Sequence, residues 1–413
     1  MNKKNRLRRY SFSIGFACLP LAHIGLAADA STLQSKGEYI AKAANCVSCH
    51  TTEGGQPFAG GVPFETPFGT IYSPNITPDQ QTGIGSWSES EFRAALKQGL
   101  RPDGEHLYPV FPYTAYTGMS DDDVSALYAY LQDVPTASAT HSVNQLSFPF
   151  NQRWLMAAWK MMFFNEEPAP LPEASSEAWQ RGRYLVTTLG HCGECHSPRN
   201  WLGAVSEQEA LSGGSYLDDI PGGKIKPWFA VNLTPADEGL AKWSADDIQQ
   251  YLKTGLNAYA TSFGPMNKVI MNSTSQLTEE DIAAMAIYLK SLPAKQRTDS
   301  LPVADADSLA KGRELYAIHC ATCHLPTGKG DPDTGPALIG NPVVLGSDPS
   351  SLVNAILYGP ELPKTALPVQ RTPMGAYEHK LDDSDVADIS TYIRNSWGNK
   401  STPVLISDVL EQR

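Results

Sequence analysis

The sequence has almost no cysteine to spare: of its seven cysteines, six sit in three short CxxCH motifs and the seventh, Cys18, lies near the N-terminus. A chain so arranged keeps no thiol for a structural disulfide even in a compartment that permits one, so its stability has to come from packing. Positive charge is also scarce. Lysine and arginine number 32 against 44 aspartates and glutamates, a net charge of −12 that falls to about −17 once the leader cations Lys3, Lys4, Arg6, Arg8 and Arg9 are removed. Such a surface is repelled by nucleic acid and by anionic lipid, and it suits a basic patch on a protein partner. Beyond the leader no run is long and apolar enough to span a bilayer, so any membrane association goes through partners or a surface patch. No GxGxxG follows a strand pattern, which removes the nicotinamide and flavin fingerprint; Gly54-Gly55 and Gly60-Gly61 read as loops.

The leader itself is informative. Five cations precede an apolar stretch from Tyr10 to Leu26, followed by the small-residue runs Gly25-Leu26-Ala27 and Ala28-Asp29-Ala30. This reads as a secretory signal peptide over residues 1–28, cleaved after Ala27 or Ala30, and places the mature chain in the periplasm or on the periplasmic face of the inner membrane. A retained anchor is the alternative, but Ser11, Ser13, Pro20 and His23 interrupt the stretch. Lipid attachment at Cys18 is poorly served by Gly15-Phe16-Ala17.

What is present is a threefold pattern: Cys46-Val47-Ser48-Cys49-His50, Cys192-Gly193-Glu194-Cys195-His196 and Cys320-Ala321-Thr322-Cys323-His324. Residues three apart on a helical turn share a face, so both thiols of each pair reach the two vinyl groups of one porphyrin. The histidine that follows at once is held beneath the iron. A zinc site would need a second pair or further histidines some 12 to 20 residues on, and none appears. The expectation is three covalently bound haem c groups, with Cys46, Cys49, Cys192, Cys195, Cys320 and Cys323 as attachment points and His50, His196 and His324 as iron ligands.

The rest of the chain repeats to match. Gly37-Glu38-Tyr39, Gly182-Arg183-Tyr184 and Gly312 to Tyr316 each precede a motif and are read as opening a short helix. Pro74-Asn75-Ile76-Thr77-Pro78 answers to Val231-Asn232-Leu233-Thr234-Pro235, and Gly85-Ser86-Trp87-Ser88 to Ala241-Lys242-Trp243-Ser244. Each repeat closes on an amphipathic helix with a capping box and staple: Ser120 and Asp123 with Met119 and Val124, Thr278 and Asp281 with Leu277 and Ile282, Asp382 and Asp385 with Leu381 and Val386. The fold class predicted is mostly α, three tandem cytochrome c-like helical domains each around one haem: residues 31–135, 173–294 and 305–400. Between them lie an interdomain segment (136–172) and a linker (295–304), both with proline-rich stretches, and a tail (401–413) follows. The apolar stretch Phe148 to Phe164 reads as a helix buried between domains or as a docking surface.

A methionine from a loop before the closing helix commonly supplies the sixth iron ligand. Counting back from the staple residue finds Met374 seven before Leu381 and Met266 eleven before Leu277, with Met271 as a second candidate six before it. In the first repeat the corresponding place, eight before Met119, holds Phe111, which cannot bind iron. Met119, His106 or no protein ligand at all are the alternatives there, and without one the haem is five-coordinate. The stretch around Gly335-Pro336-Ala337-Leu338 reads as the loop beside the third histidine, where a backbone carbonyl accepts its ring N–H.

These motifs, together with Ser73 to Pro78, Gly85 to Ser88, Leu107-Tyr108-Pro109, Asn272-Ser273-Thr274 and the closing Tyr392 to Gly398, resemble the triheme cytochrome c subunits of membrane-associated bacterial alcohol, gluconate, sorbitol and fructose dehydrogenases. The resemblance implies an electron carrier that takes electrons from a catalytic dehydrogenase subunit and passes them to ubiquinone or a terminal oxidase, with Met266 and Met374 where that family's axial methionines fall. Some members carry methionine where this chain has Phe111. Electron transfer without catalysis of its own is therefore the leading expectation. A multihaem peroxidase or reductase working at an open first haem, and a free-standing soluble carrier, are the alternatives.

Overall fold

The computed structural model describes residues 24–167, 175–298, 300–331, 333–366 and 371–413, with side chains from Thr32 onward. The leader before Ile24 and the prolines of 168–172 lie outside the described residues. The helix Ile24–Ala43 runs unbroken through both expected cleavage points.

The chain is mostly helical, and one motif organises it. A leading helix crosses a closing helix three times: Ile24–Ala43 on Asp121–Leu131, Glu177–Arg183 on Glu279–Ser291, and Ala306–His319 on Asp383–Arg394. The repeated glycines sit at the crossings, within the leading helices and not at their starts as the sequence suggested. A Cβ on Gly37 would come within 2.0 Å of the Ala126 carbonyl oxygen, on Gly182 within 1.9 Å of Ala284 O, and on Gly312 within 2.1 Å of Asp388 O. Only a residue without a side chain lets these backbones approach so closely. The staple residues seal the other end, with Met119, Leu277 and Leu381 buried beside Val124, Ile282 and Val386.

The three crossings do not make three equal bodies. A single core runs through the first two, joining Ile40, Met119, Val124 and Leu127 to Val186, Leu189, Ile282 and Met285. The third has a separate core built on Tyr316, Leu352, Val353, Leu357, Val386 and Ile389. The caps explain the fusion. Ser120, Thr278 and Asp382 each accept the N–H of the residue three further on, as expected of N-caps. The reciprocal half of the capping box is missing at all three, and at the first two the carboxylate serves the neighbouring unit instead. Tyr39 donates its hydroxyl to Asp281 (2.6 Å) and accepts the Thr278 N–H (3.1 Å), while Tyr184 donates to Asp123 (2.6 Å) and accepts the Ser120 N–H (3.3 Å). Arg181 completes the first exchange with two bonds to Asp281, and Lys36 the second with a 2.8 Å pair to Asp123. The third repeat has Glu314 where these tyrosines stand.

This exchange carries a pH signature. Burial pushes the Asp281 carboxyl up, but the bonds from Arg181 and Tyr39 outweigh it and hold the group below the usual range; Asp123 behaves alike, through Lys36 and Tyr184. A carboxylate depressed in the folded state contributes stability that is present above its unfolded value, roughly pH 4, and is lost as pH falls through the folded one. Thermal melts of the Asp281→Asn variant are expected to start lower at neutral pH and to fall less steeply than the parent's on the acid side. An unchanged acid limb would refute this role.

Two small sheets lie after the first two CxxCH motifs: β1 (Pro63–Thr66), β2 (Gly69–Tyr72) and β3 (Gln145–Leu146), all antiparallel, and the hairpin of β4 (Gly214–Asp219) and β5 (Ile225–Ala230), in which Gly214 faces Ala230. Strand β3 belongs to the segment 136–172, so that segment is partly folded onto the first unit and is not a free connector. Its helix Leu155–Phe163 is two-faced: Met156 and Trp159 pack against Tyr113 and Ala204, whereas Trp154, Met161 and Met162 are exposed.

Residues 401–413 are likewise more than a tail. The helix Ile406–Gln412 buries Val409 fully, and Lys226 of β5 donates to the Glu411 carbonyl (2.8 Å). Arg394 fastens the start of this segment. It is fully buried and donates to the carbonyls of Val344 (3.1 Å), Gly346 (2.9 Å) and Thr402 (2.9 Å) and to the hydroxyls of Ser401 (2.7 Å) and Thr402 (2.8 Å).

Candidate haem sites

Each CxxCH motif forms one short helical turn at the end of its leading helix, and each histidine is fixed in the same way. His50 Nδ1 lies 2.8 Å from Pro74 O, His196 Nδ1 2.7 Å from Val231 O, and His324 Nδ1 2.8 Å from Pro336 O. A ring nitrogen bonded to a carbonyl is the protonated one, so every Nε2 is left with its lone pair free to bind a metal. Burial lowers all three imidazoles, His50 to about 4, which keeps them in the neutral form that can bind a metal.

The acceptor carbonyl explains the repeated segment of the first two units. Asn75 Oδ1 accepts the backbone N–H (2.9 Å) and hydroxyl (2.8 Å) of Thr77, and Asn232 Oδ1 does the same for Thr234 at 2.8 and 2.7 Å. All four side chains are buried. The Asn-x-Thr turn therefore locks the carbonyl that precedes it against the histidine. In the third unit the Gly335-Pro336 loop does this work, as its sequence suggested, and a Cβ on Gly335 would come within 3.2 Å of His324 Cε1.

The six thiols form no disulfide. Burial pushes Cys46, Cys195 and Cys320 up to about 12 and Cys49 and Cys192 to about 11. Unattached thiols there are neutral, unlike the thiolates of a zinc site or a reactive dithiol. Among the described residues no group of three or more His, Cys, Asp or Glu side chains is arranged to hold a metal ion. Two buried indole N–H groups in the second unit, Trp228 and Trp243, find no acceptor among the described residues. Buried orphan donors are rare, and a bound group with carboxylate oxygens would satisfy them. The donor set fits a covalently held haem.

The methionines divide sharply. Met266 is half-buried as the second residue of helix Pro265–Asn272, and so lies on a helix where the sequence suggested a loop. Met374 is half-buried in an irregular segment and borders an open cleft of about 700 Å³ with Gly359, Pro363 and Pro373. Met271 is otherwise engaged, its sulfur accepting the Lys364 N–H (3.2 Å). In the first unit Met119 is 2% exposed, and its carbonyl accepts Lys97 Nζ (2.9 Å) just as that of Leu277 accepts Lys253 Nζ (2.7 Å). His106 is held away by Lys160, whose Nζ lies 3.0 Å from its Nδ1.

The units also touch through their motifs. Asn272 Nδ2, on the Met266 helix, donates to Ser48 Oγ inside the first CxxCH (2.8 Å), and Thr114 donates to Glu194 inside the second (3.1 Å). Toward the third unit, Asn267 donates to Glu361 O (2.8 Å) and Asn341 to Tyr259 O (2.9 Å). None of these contacts, nor the tyrosine exchange, was evident from sequence; the repeated Asn-x-Thr-Pro was the available signal for the histidine carbonyls.

Helix crossings, attachment turns and carbonyl-fixed histidines together define a c-type cytochrome. The sequence matches the Cytochrome c family over residues 34–135 and 309–397. It is 37% identical to the alcohol dehydrogenase (quinone) cytochrome c subunit of Gluconobacter oxydans, over 92% of this chain and 82% of that one. It is 39% identical to the gluconate 2-dehydrogenase cytochrome c subunit of Pantoea cypripedii (89% and 86%) and 38% identical to the fructose dehydrogenase cytochrome subunit of Gluconobacter japonicus (92% and 82%). The chain belongs to this family of dehydrogenase cytochrome c subunits.

Proposed function

We propose that the protein is a periplasmic triheme electron relay, which takes electrons from a catalytic dehydrogenase subunit and delivers them to ubiquinone or a terminal oxidase. All three units are read as cytochrome c domains. Cys46, Cys49 and His50, Cys192, Cys195 and His196, and Cys320, Cys323 and His324 would each hold one haem, with Met266 and Met374 as sixth ligands in the second and third units. When bound, the haems supply reversible one-electron chemistry. The chain's own part is to attach them, to keep each histidine neutral with Nε2 free, and to surround the iron with apolar side chains.

The observation that carries this reading is the threefold Nδ1-to-carbonyl bond beside a thiol pair. Charge supports the setting, since an acidic chain suits a basic face on the dehydrogenase. Among the described residues no helix is long and apolar enough to cross a membrane, so we place any membrane contact with the partners. Alkaline pyridine spectra and intact mass of the denatured protein are expected to give three thioether-linked haems per chain. Two or fewer would refute the triheme assignment.

A further inference from the structure

The first unit departs from the second at one place, found by counting from matching backbone features. The helices Glu89–Gln98 and Ala245–Thr254 both end on a left-handed glycine, Gly99 and Gly255, followed by matching bridges, Leu100 with His106 and Leu256 with Thr261. Five residues past the bridge stands Met266 in the second unit and Phe111 in the first.

Among the described residues no other methionine or histidine of the first unit, or of the segment packed on it, stands at this place, and Met161 and Met162 are turned to solvent on the helix Leu155–Phe163. Met119 is sealed in the core at the staple position, and Met156 is buried with Tyr113 and Trp159. His106 is tied to Lys160, His141 Nε2 lies 2.5 Å from Ala59 O, and His191 is half-buried against the Tyr116 ring (5.5 Å) and bonded to the Ala44 backbone. Phe111 packs edge-on to Tyr116 with ring centroids 5.7 Å apart, and Tyr116 spends its hydroxyl on the Ala44 carbonyl (3.2 Å), two residues before the first attachment cysteine.

We propose that the haem held by Cys46, Cys49 and His50 has no sixth ligand from the protein, and that Phe111 and Tyr116 make its free side a binding site for a neutral diatomic such as carbon monoxide or nitric oxide. This rests on the haem assignment above. Phe111 offers no polar atom and Tyr116 no unused proton, so this pair has nothing with which to stabilise a bound anion or to protonate a peroxide oxygen, whereas a neutral diatomic bonds through the ferrous iron alone. A peroxidase at this position is disfavoured by the same pair.

The test is carbon monoxide titration of the reduced, full-length holoprotein, with near-infrared magnetic circular dichroism to count methionine–iron bonds. One carbon monoxide per three haems and two methionine–iron signatures are expected. Phe111→Met should abolish uptake and add a third signature, while Met119→Leu should change neither. Absence of uptake by a parent chain with three haems, uptake that persists in a folded Phe111→Met protein, or new uptake in Met119→Leu would each overturn the proposal. A third methionine–iron signature in the parent would do so without any variant. A haem count below three would instead strike at the triheme reading beneath it.

Discussion

On the relay proposed above, changing Cys192 and Cys195 together to serine is expected to leave two covalent haems and to reduce electron delivery from the dehydrogenase to its acceptor to the background seen without this subunit. The second unit sits between the others: the Met266 helix meets the first CxxCH through Asn272 and Ser48, and its Asn267 and Tyr259 meet the third unit through Glu361 and Asn341. A relay broken in the middle has no neighbouring route. The check is turnover of the reconstituted complex, with haem content and far-ultraviolet circular dichroism showing that the other two sites remain loaded and the chain folded. Turnover near the parent rate in such a protein would mean that the middle haem is not on the path.

The largest single-residue loss of stability is expected at Arg394. Its guanidinium satisfies three carbonyls and two hydroxyls with no ion pair among the described residues, and burial with Arg297 nearby lowers it to about 10 against the opposing pull of Asp348 and Asp408. Arg394→Ala would orphan those carbonyls at ~1–3 kcal/mol each and leave a cavity, for a loss of at least ~3 kcal/mol. Lysine should recover little, because an ammonium cannot fork to the same acceptors. Since the third unit has its own core, the loss should appear as an early transition in denaturant titrations followed by circular dichroism, ahead of the first two units. A variant within ~0.5 kcal/mol of the parent would contradict this account.

The sequence made local features legible and left pairings hidden. Caps, staples and attachment turns are written in adjacent residues, and the closing helices form where their periodicity placed them. The Ser-x-x-Asp pattern could not say whether Asp123 turns back on its own helix or outward, because the answer lies with Tyr184, 61 residues away. For Asp281 the partner Tyr39 is 242 residues distant. The glycines of the leading helices were read as helix openings since the closing helix that demands them is invisible in a local window. Residues 401–413 looked like a tail because a helix of seven residues carries little periodic signal, and its burial depends on β5 from another unit. Phe111, by contrast, was visible at once, since repetition turns one missing methionine into a legible exception.

The crossed tyrosines bear on how a chain of this kind can be shortened or lengthened. Deleting the first unit alone would strip Asp281 of a donor and leave Tyr184 reaching for a helix that is gone, so the two members are heritable only as a couple. The third module, with Glu314 in place of the reaching tyrosine and a hydrophobic interior of its own, meets the second through loop and strand contacts such as Asn267 with Glu361 and Phe229 with Ser351, and exchanges no helix cap with it.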